Sequence, residues 1–156
     1  DCPISTFDFT APTVSGVPTA VSAALASQPD TNIVVMPDDG FATAALQGIQ
    51  SAGFTDKAKI VSYGGDPAGL ERIKAGQQAA SIGFPVEFEG WRLANSLLQL
   101  LGGEEVTPIT EPAVRAFTAN NVGELDIRPE NYFTSAWYGN DSFKKDFLAA
   151  WGASAS

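Results

Sequence analysis

The sequence predicts an α/β fold, with helices crossing between the strands of a parallel sheet, and three observations carry that expectation. Short apolar runs recur at IVVM (33–36), KIVSY (59–63) and QAASIGF (78–84), the pattern of strands buried on both faces. Segments between them return apolar residues every three or four positions, as amphipathic helices do. Strand and helix then alternate with a repeat of roughly 20 to 25 residues, which fits βαβ crossovers better than a sandwich or a bundle.

Taken in order, ISTFDF (4–9) alternates apolar and polar side chains and predicts a short strand held between Pro3 and Pro12. From Ser15 to Gln28 the residues Val17, Val21, Ala24 and Leu25 mark a helix, with Ser15 as its cap and Pro29 just past its end. The run Ile33–Met36 is the next strand. Asp39 opens a helix through Ala42, Ala45, Leu46 and Ile49, and Gly53 stands where a left-handed C-terminal cap belongs. After the strand at 59–63, Asp66 and Pro67 give a cap and a first-turn proline for a helix through Leu70 and Ile73 that stops at Gly76.

Beyond Pro85 the pattern changes. FPVEFEGW leads into RLANSLLQLLGG, a helix with Leu93, Leu97, Leu98 and Leu101 on one face, ended by Gly102 and Gly103. A strand is expected around Ala113–Thr118, followed by LDIRPENYFTSAWYGN (125–140), which has no period and whose aromatics should pack against a surface. Asp141 is expected to cap a last helix, SFKKDFLAAW, before a small-residue tail. Asn140-Asp141-Ser142 matches a glycosylation acceptor, a motif common by chance.

Composition narrows the function. The 156 residues carry 18 acids against 9 bases, a net charge of −9, which disfavours a nucleic-acid or anionic-membrane partner. No apolar stretch approaches the roughly 18 residues of a spanning helix. With one cysteine and no histidine, there is no disulfide framework, no Cys/His zinc set and no Ser-His or Cys-His relay. Cys2 is either a small apolar residue or half of a bridge to a group outside the chain. Neither G-x-G-x-x-G nor G-x-x-x-x-G-K-[ST] occurs, so no phosphate-cradling loop is expected.

Asp38 and Asp39 are open to four readings: a catalytic pair, a metal seat, a ligand clamp or a helix cap. A phosphoryl-transfer Mg²⁺ site wants a third carboxylate and a nearby lysine; Asp66 is available, but no lysine follows a strand. In open parallel sheets ligands bind beyond the carboxyl ends of the strands, where Asp38, Asp39, Tyr63, Gly64, Asp66, Phe84 and Pro85 all fall. Carboxylates there accept hydrogen bonds from a polar ligand and aromatics stack on it. The favoured division of labour has Asp39 capping the helix and Asp38 reaching into the cleft.

The segments LASQP (25–29), VVMPDDGFATAALQGIQSAG (34–53), IVSYGGDP (60–67), ERIKAG (71–76), AASIGFPVEFEGW (79–91) and LLQLLGGEEV (97–106) follow in order and spacing the C-terminal part of another group. Over about residues 4 to 123 the chain resembles the type I periplasmic binding proteins, the ribose-binding-like solute receptors of ABC transporters. The resemblance implies a three-layer α-β-α lobe with a mostly parallel sheet. It implies an incomplete C-terminal ligand-binding lobe over 1–84, a helix crossing toward a missing N-terminal lobe over 85–108, and a returning strand, aromatic segment and terminal helix over 109–156. A protein of this kind performs no chemistry and needs no cofactor or metal. It captures a small polar ligand, a sugar or polyol, and hands it to an ABC permease.

The ligand-binding residues so implied are Asp38, Phe41, Tyr63, Gly64, Asp66 and Phe84. Two of them depart from the family pattern: Asp38 stands where Asn is usual, and Gly64 where an Asp commonly holds sugar hydroxyls, leaving Asp66 to compensate. Phe84 stands near a hinge position where Gln or Asn is frequent and makes the pocket more apolar. The place implied is extracytoplasmic, periplasm or cell-surface lipoprotein, with a signal peptide removed. Such receptors have about twice this length, so the chain reads as a proteolytic or truncated fragment, with the leucine face of helix 92–101 covered by the absent lobe or a second copy. The competing readings are the effector domain of a lactose-repressor-type regulator and, more remotely, an Asp-dependent phosphotransfer or phosphatase-like enzyme.

Overall fold

The computed structural model describes residues 3–107, 114–139 and 141–153; Cys2, Asn140 of the glycosylation triplet, the first residue of the strand expected from Ala113 and the last three residues of the tail lie outside them. Two compact units form, Asp1–Ile82 with Ala116–Glu124 and Gly83–Arg115 with Leu125–Ser156.

The first unit holds α1 (Val17–Ser27), β1 (Ile33–Val35), α2 (Asp39–Ser51), β2 (Lys59–Gly64), α3 (Pro67–Lys74) and, up to the boundary residues, β3 (Gln78–Gly83) and β4 (Arg115–Thr118). The four strands form one mostly parallel sheet in the order β1-β2-β3-β4, flanked by helices. β1 runs parallel to β2 with Ile33 opposite Lys59 and Val35 opposite Val61, and Met36 N–H extends the ladder to Val61 O at 2.9 Å. Val17, Val21 and Leu25 of α1, Ala42, Ala45 and Ile49 of α2, and Val34 and Ile60 of the sheet make one buried cluster.

Local chemistry explains most of the element ends. Pro67 occupies the first turn of α3, where its missing N–H costs nothing. Gly53 and Gly76 follow α2 and α3 with φ of 73° and 71°, the left-handed conformation that lets the chain leave a helix sharply.

Three expectations are corrected in this unit. Residues 4–9 form no strand; they run irregularly, and Phe7 and Phe9 pack on the α1–α2 cluster instead. Alternation supplies a two-sided surface, but a strand also needs a hydrogen-bonded neighbour. The run at 33–36 is not buried on both faces: β1 is an edge strand, and Ile33 and Val35 are 44% and 71% exposed. Ser15 does not cap α1; it lies in a 3-10 turn (Ala11–Gly16), whose start is held by a reciprocal box between Thr10 and Thr13.

The second unit holds α4 (Val86–Leu101), α5 (Pro129–Tyr132) and α6 (Phe143–Ala150). Phe88 of α4 and Phe143 and Phe147 of α6 form its buried centre. Beside it the rings of Trp91 and Trp151 stack 5.3 Å apart, 4° from parallel, and Trp151 Nε1 donates to Asn95 Oδ1 at 2.9 Å. Lys144 pairs with Glu87 at 2.6 Å. Trp137 of the aromatic segment is buried, with Nε1 donating to Asp126 O at 3.2 Å. Asp141 is not a side-chain cap: Ser142 holds the cap position of α6, and Asp141 pairs with Lys144. On α4, Leu93, Leu97, Leu98 and Leu101 are between 50% and 76% exposed.

Helices α1 and α2 approach closely at Gly48 of α2. A Cβ there would stand 2.6 Å from Pro18 O and 2.7 Å from Val21 Cβ, so Gly48→Ala must force α1 and α2 apart. Overpacking of this kind costs about 1–3 kcal/mol, and urea unfolding of the variant should show a loss in that range.

Candidate functional site

The site lies beyond the carboxyl ends of β1 and β2, where the chain turns into α2 and α3. Asp38 follows β1 in extended conformation, and its side chain accepts a hydrogen bond from Gly40 N–H at 2.7 Å. Asp38 is therefore the cap of α2. Its other carboxylate oxygen lies toward the end of β2, 3.5 Å from where a Cβ on Gly64 would stand.

Asp39 does something else. It is the first residue of α2, 1% exposed, and its carboxylate receives five donors. Gln78 Nε2 at 2.9 Å and Ser62 Oγ reach Oδ1, while Gly65 N–H at 2.7 Å, Asp66 N–H at 3.1 Å and Ser81 Oγ at 2.7 Å reach Oδ2. The buried Arg72 donates to Asp39 O at 2.7 Å and holds a guanidinium nitrogen 3.8 Å from Oδ1. Arg72 is itself fixed by Gln78 Oε1 at 3.0 Å and Thr43 Oγ1 at 3.1 Å. The helix-capping role expected for Asp39 is thus corrected. Both acids fit an N-cap in sequence, and what separates them is a set of buried donors from β2, β3 and α3.

The turn between β2 and α3 is shaped around this carboxylate. Gly64 and Gly65 have φ of 127° and 68°, which only glycine adopts without strain. Successive N–H groups in such a turn make a concavity that suits an anion, and here Asp39 fills it. Gly69 completes the enclosure, since a Cβ there would come within 2.5 Å of the Asp39 carboxyl carbon.

The remaining expected site residues fall as follows. Asp66 is half-buried and caps α3 by accepting from Gly69 N–H at 2.6 Å, as its sequence position suggested. Burial holds its pKa above the ordinary 3.8, opposed by the Gly69 N–H and reinforced by the Asp39 charge. Tyr63 is exposed at the end of β2. Phe41 packs edge-to-face on Phe9, centroids 5.2 Å apart, and joins the α1–α2 cluster. Phe84 belongs to the second unit, immediately after β3.

Ser62, Arg72, Gln78 and Ser81 escaped the sequence reading. Their signal was present, because Ser62 shares its strand face with buried Ile60, and Gln78 and Ser81 interrupt an otherwise small and apolar strand. Chemically, an Asp39 carboxylate with five donors on about four lone-pair sites has no capacity left for a metal or a nucleophilic role. The outward acceptors are Asp38 and Asp66.

The periplasmic binding protein domain family matches residues 5–105. Among solved structures, an ABC sugar transporter subunit from Rhodobacter sphaeroides is 21% identical, with a TM-score of 0.63 over 77% of this chain and 44% of the other. A 5-methylthioribose transporter solute-binding protein from Thermotoga lettingae is 20% identical, TM-score 0.66, over 88% and 47%. An ABC transporter solute-binding protein from Agrobacterium vitis with bound D-fucose is 19% identical, TM-score 0.63, over 83% and 43%. At these identities the likeness is one of fold, and the chain spans less than half the length of each. No curated protein matches the sequence.

The two neighbouring acids should separate cleanly in unfolding experiments. Asp38→Ala removes one exposed cap and should cost about 1 kcal/mol, whereas Asp39→Ala leaves Arg72 and five donors facing an apolar group and should cost about 3–5 kcal/mol. Asp66 supplies a pH signature. Its raised pKa means the folded state holds a proton that the unfolded chain releases, so ionisation works against folding. In thermal melts from about pH 3 to about pH 6, wild type should lose stability relative to Asp66→Asn, which keeps a capping oxygen and cannot ionise.

Proposed function

Since the chain belongs to the periplasmic binding protein domain family, we propose that it forms part of an extracytoplasmic solute-binding protein that captures a sugar or polyol for an ABC transporter. The observation that carries this reading is the rim beyond β1 and β2, where Asp38, Tyr63, Gly64 and Asp66 gather at the switch from strand to helix. A ligand rich in hydroxyl donors suits the carboxylates of Asp38 and Asp66, and the bare Gly64 leaves room for it to approach. Phe41 and Phe84 are the two further residues that the family resemblance implies.

In this reading residues 1–84 are the incomplete C-terminal lobe, 85–108 the crossing segment and 109–156 the returning strand, aromatic segment and last helix. A companion lobe supplies the rest of the ligand shell and covers the leucines of α4, whose exposure exceeds what a finished surface usually leaves as one apolar stripe. Closure of the two lobes over the ligand is the state presented to the permease. The protein acts in the periplasm or as a cell-surface lipoprotein, after removal of a signal peptide. The family is one of binding proteins, and no helix among the described residues is long and apolar enough to cross a membrane.

Isothermal titration of the protein carrying both lobes tests the reading, with 5-methylthioribose, D-fucose, D-allose and myo-inositol as probes, the compounds found on related structures. Binding of at least one should appear, and Asp38→Ala should weaken it about tenfold or more, the worth of a hydrogen bond to a charged group. A protein that binds none of the four, or an Asp38→Ala variant with unchanged affinity, would count against it.

A further inference from the structure

The geometry points to Asp39 as a positioning residue for ligand binding: through its carboxylate and Ser81 it holds the Gly64–Asp66 turn in the shape that presents the rim, without touching ligand itself. This rests on the binding role proposed above.

Three observations support it. The turn is otherwise soft, because two adjacent glycines with positive φ carry the highest backbone entropy and no side chains to pack. Its two inward N–H groups are both spent on one oxygen, Asp39 Oδ2, and Gly65 N–H is shared with Ser81 Oγ at 3.0 Å. Ser81 Oγ donates to the same Asp39 oxygen, so carboxylate, hydroxyl and amide form a closed triangle. Asp39 is in turn anchored from behind by Arg72, Gln78 and Ser62 and packed against the Gly69 backbone. The turn thus cannot shift without moving the N-terminus of α2, on which Asp38 is fixed by its Gly40 cap. Asp38 and Asp66, the two acceptors assigned to ligand, are set relative to each other by a third acid buried between their segments. Binding constellations need such support to within about 0.5 Å.

The test uses two variants. Asp39→Asn keeps the shape and places an amide donor among donors; Ser81→Ala removes one corner of the triangle and leaves every rim residue in place. Amide hydrogen exchange by NMR should show Gly65 and Asp66 exchanging about tenfold faster or more in both, with Ile60 in the sheet unchanged, the mark of local rather than global opening. Affinity for whichever of 5-methylthioribose, D-fucose, D-allose and myo-inositol wild type binds should fall about tenfold in Ser81→Ala under conditions where the variant is fully folded, a loss equivalent to about 1.4 kcal/mol. Unchanged exchange at Gly65 and Asp66 in Ser81→Ala would overturn the assignment, as would an affinity loss that only tracks the unfolded fraction. If wild type binds none of 5-methylthioribose, D-fucose, D-allose and myo-inositol, the reading of the ligand fails, and the exchange experiment still decides the role of Asp39. If Asp39→Asn does not fold, Ser81→Ala carries both measurements.

Discussion

The buried carboxylate of Asp39 is the constraint on which the first unit depends. Taking a charge out of water is costly, and the cost is offset only where geometry supplies nearly every hydrogen bond the ion can accept. Here the donors come from β2, the β2–α3 turn, and β3, with Arg72 of α3 closing the circuit on the backbone of α2. Because the five donors are spread over two strands and the turn between β2 and α3, the charge can be satisfied in one arrangement of strands and helices and in no slipped alternative. The same network explains why three serine or glutamine side chains stand inside a sheet whose other inward residues are apolar.

How much of this was legible in the residues follows from how local each signal is. Asp66 and Pro67 opening a helix, and Gly53 and Gly76 closing two others, depend on backbone geometry within a few positions, and they appear where the sequence puts them. The choice between Asp38 and Asp39 is different. Either satisfies the cap pattern, and the decision is made by groups 23 to 42 residues away, to which a local pattern is blind. A polar residue on the buried side of a strand was the available clue, and it pointed to a hub rather than to a ligand.

Burial of β1 was illegible for a related reason. An unbroken apolar run says that a strand avoids water, but its place in the sheet is fixed by strand order, and β1 stands at the edge. The alternation at 4–9 likewise describes a side-chain surface and not a pairing partner. In the second unit the leucines of α4 carry an amphipathic signal as strong as any in the chain, yet α6 packs instead on the aromatic face set by Phe88 and Trp91. Periodicity marked that the helix has an apolar stripe and left open which stripe its neighbour takes.

The wide sequence reach of the Asp39 network has a consequence for how the unit assembles. Ser81 and Asp39 are 42 residues apart, so their contact forms only after β2, α3 and β3 have docked, when most of the loop-closure entropy has already been lost. Interactions that arrive after the transition state leave the folding rate nearly untouched and act on the reverse step. The buried acid thereby bears on how long the unit stays closed once formed more than on how fast it closes.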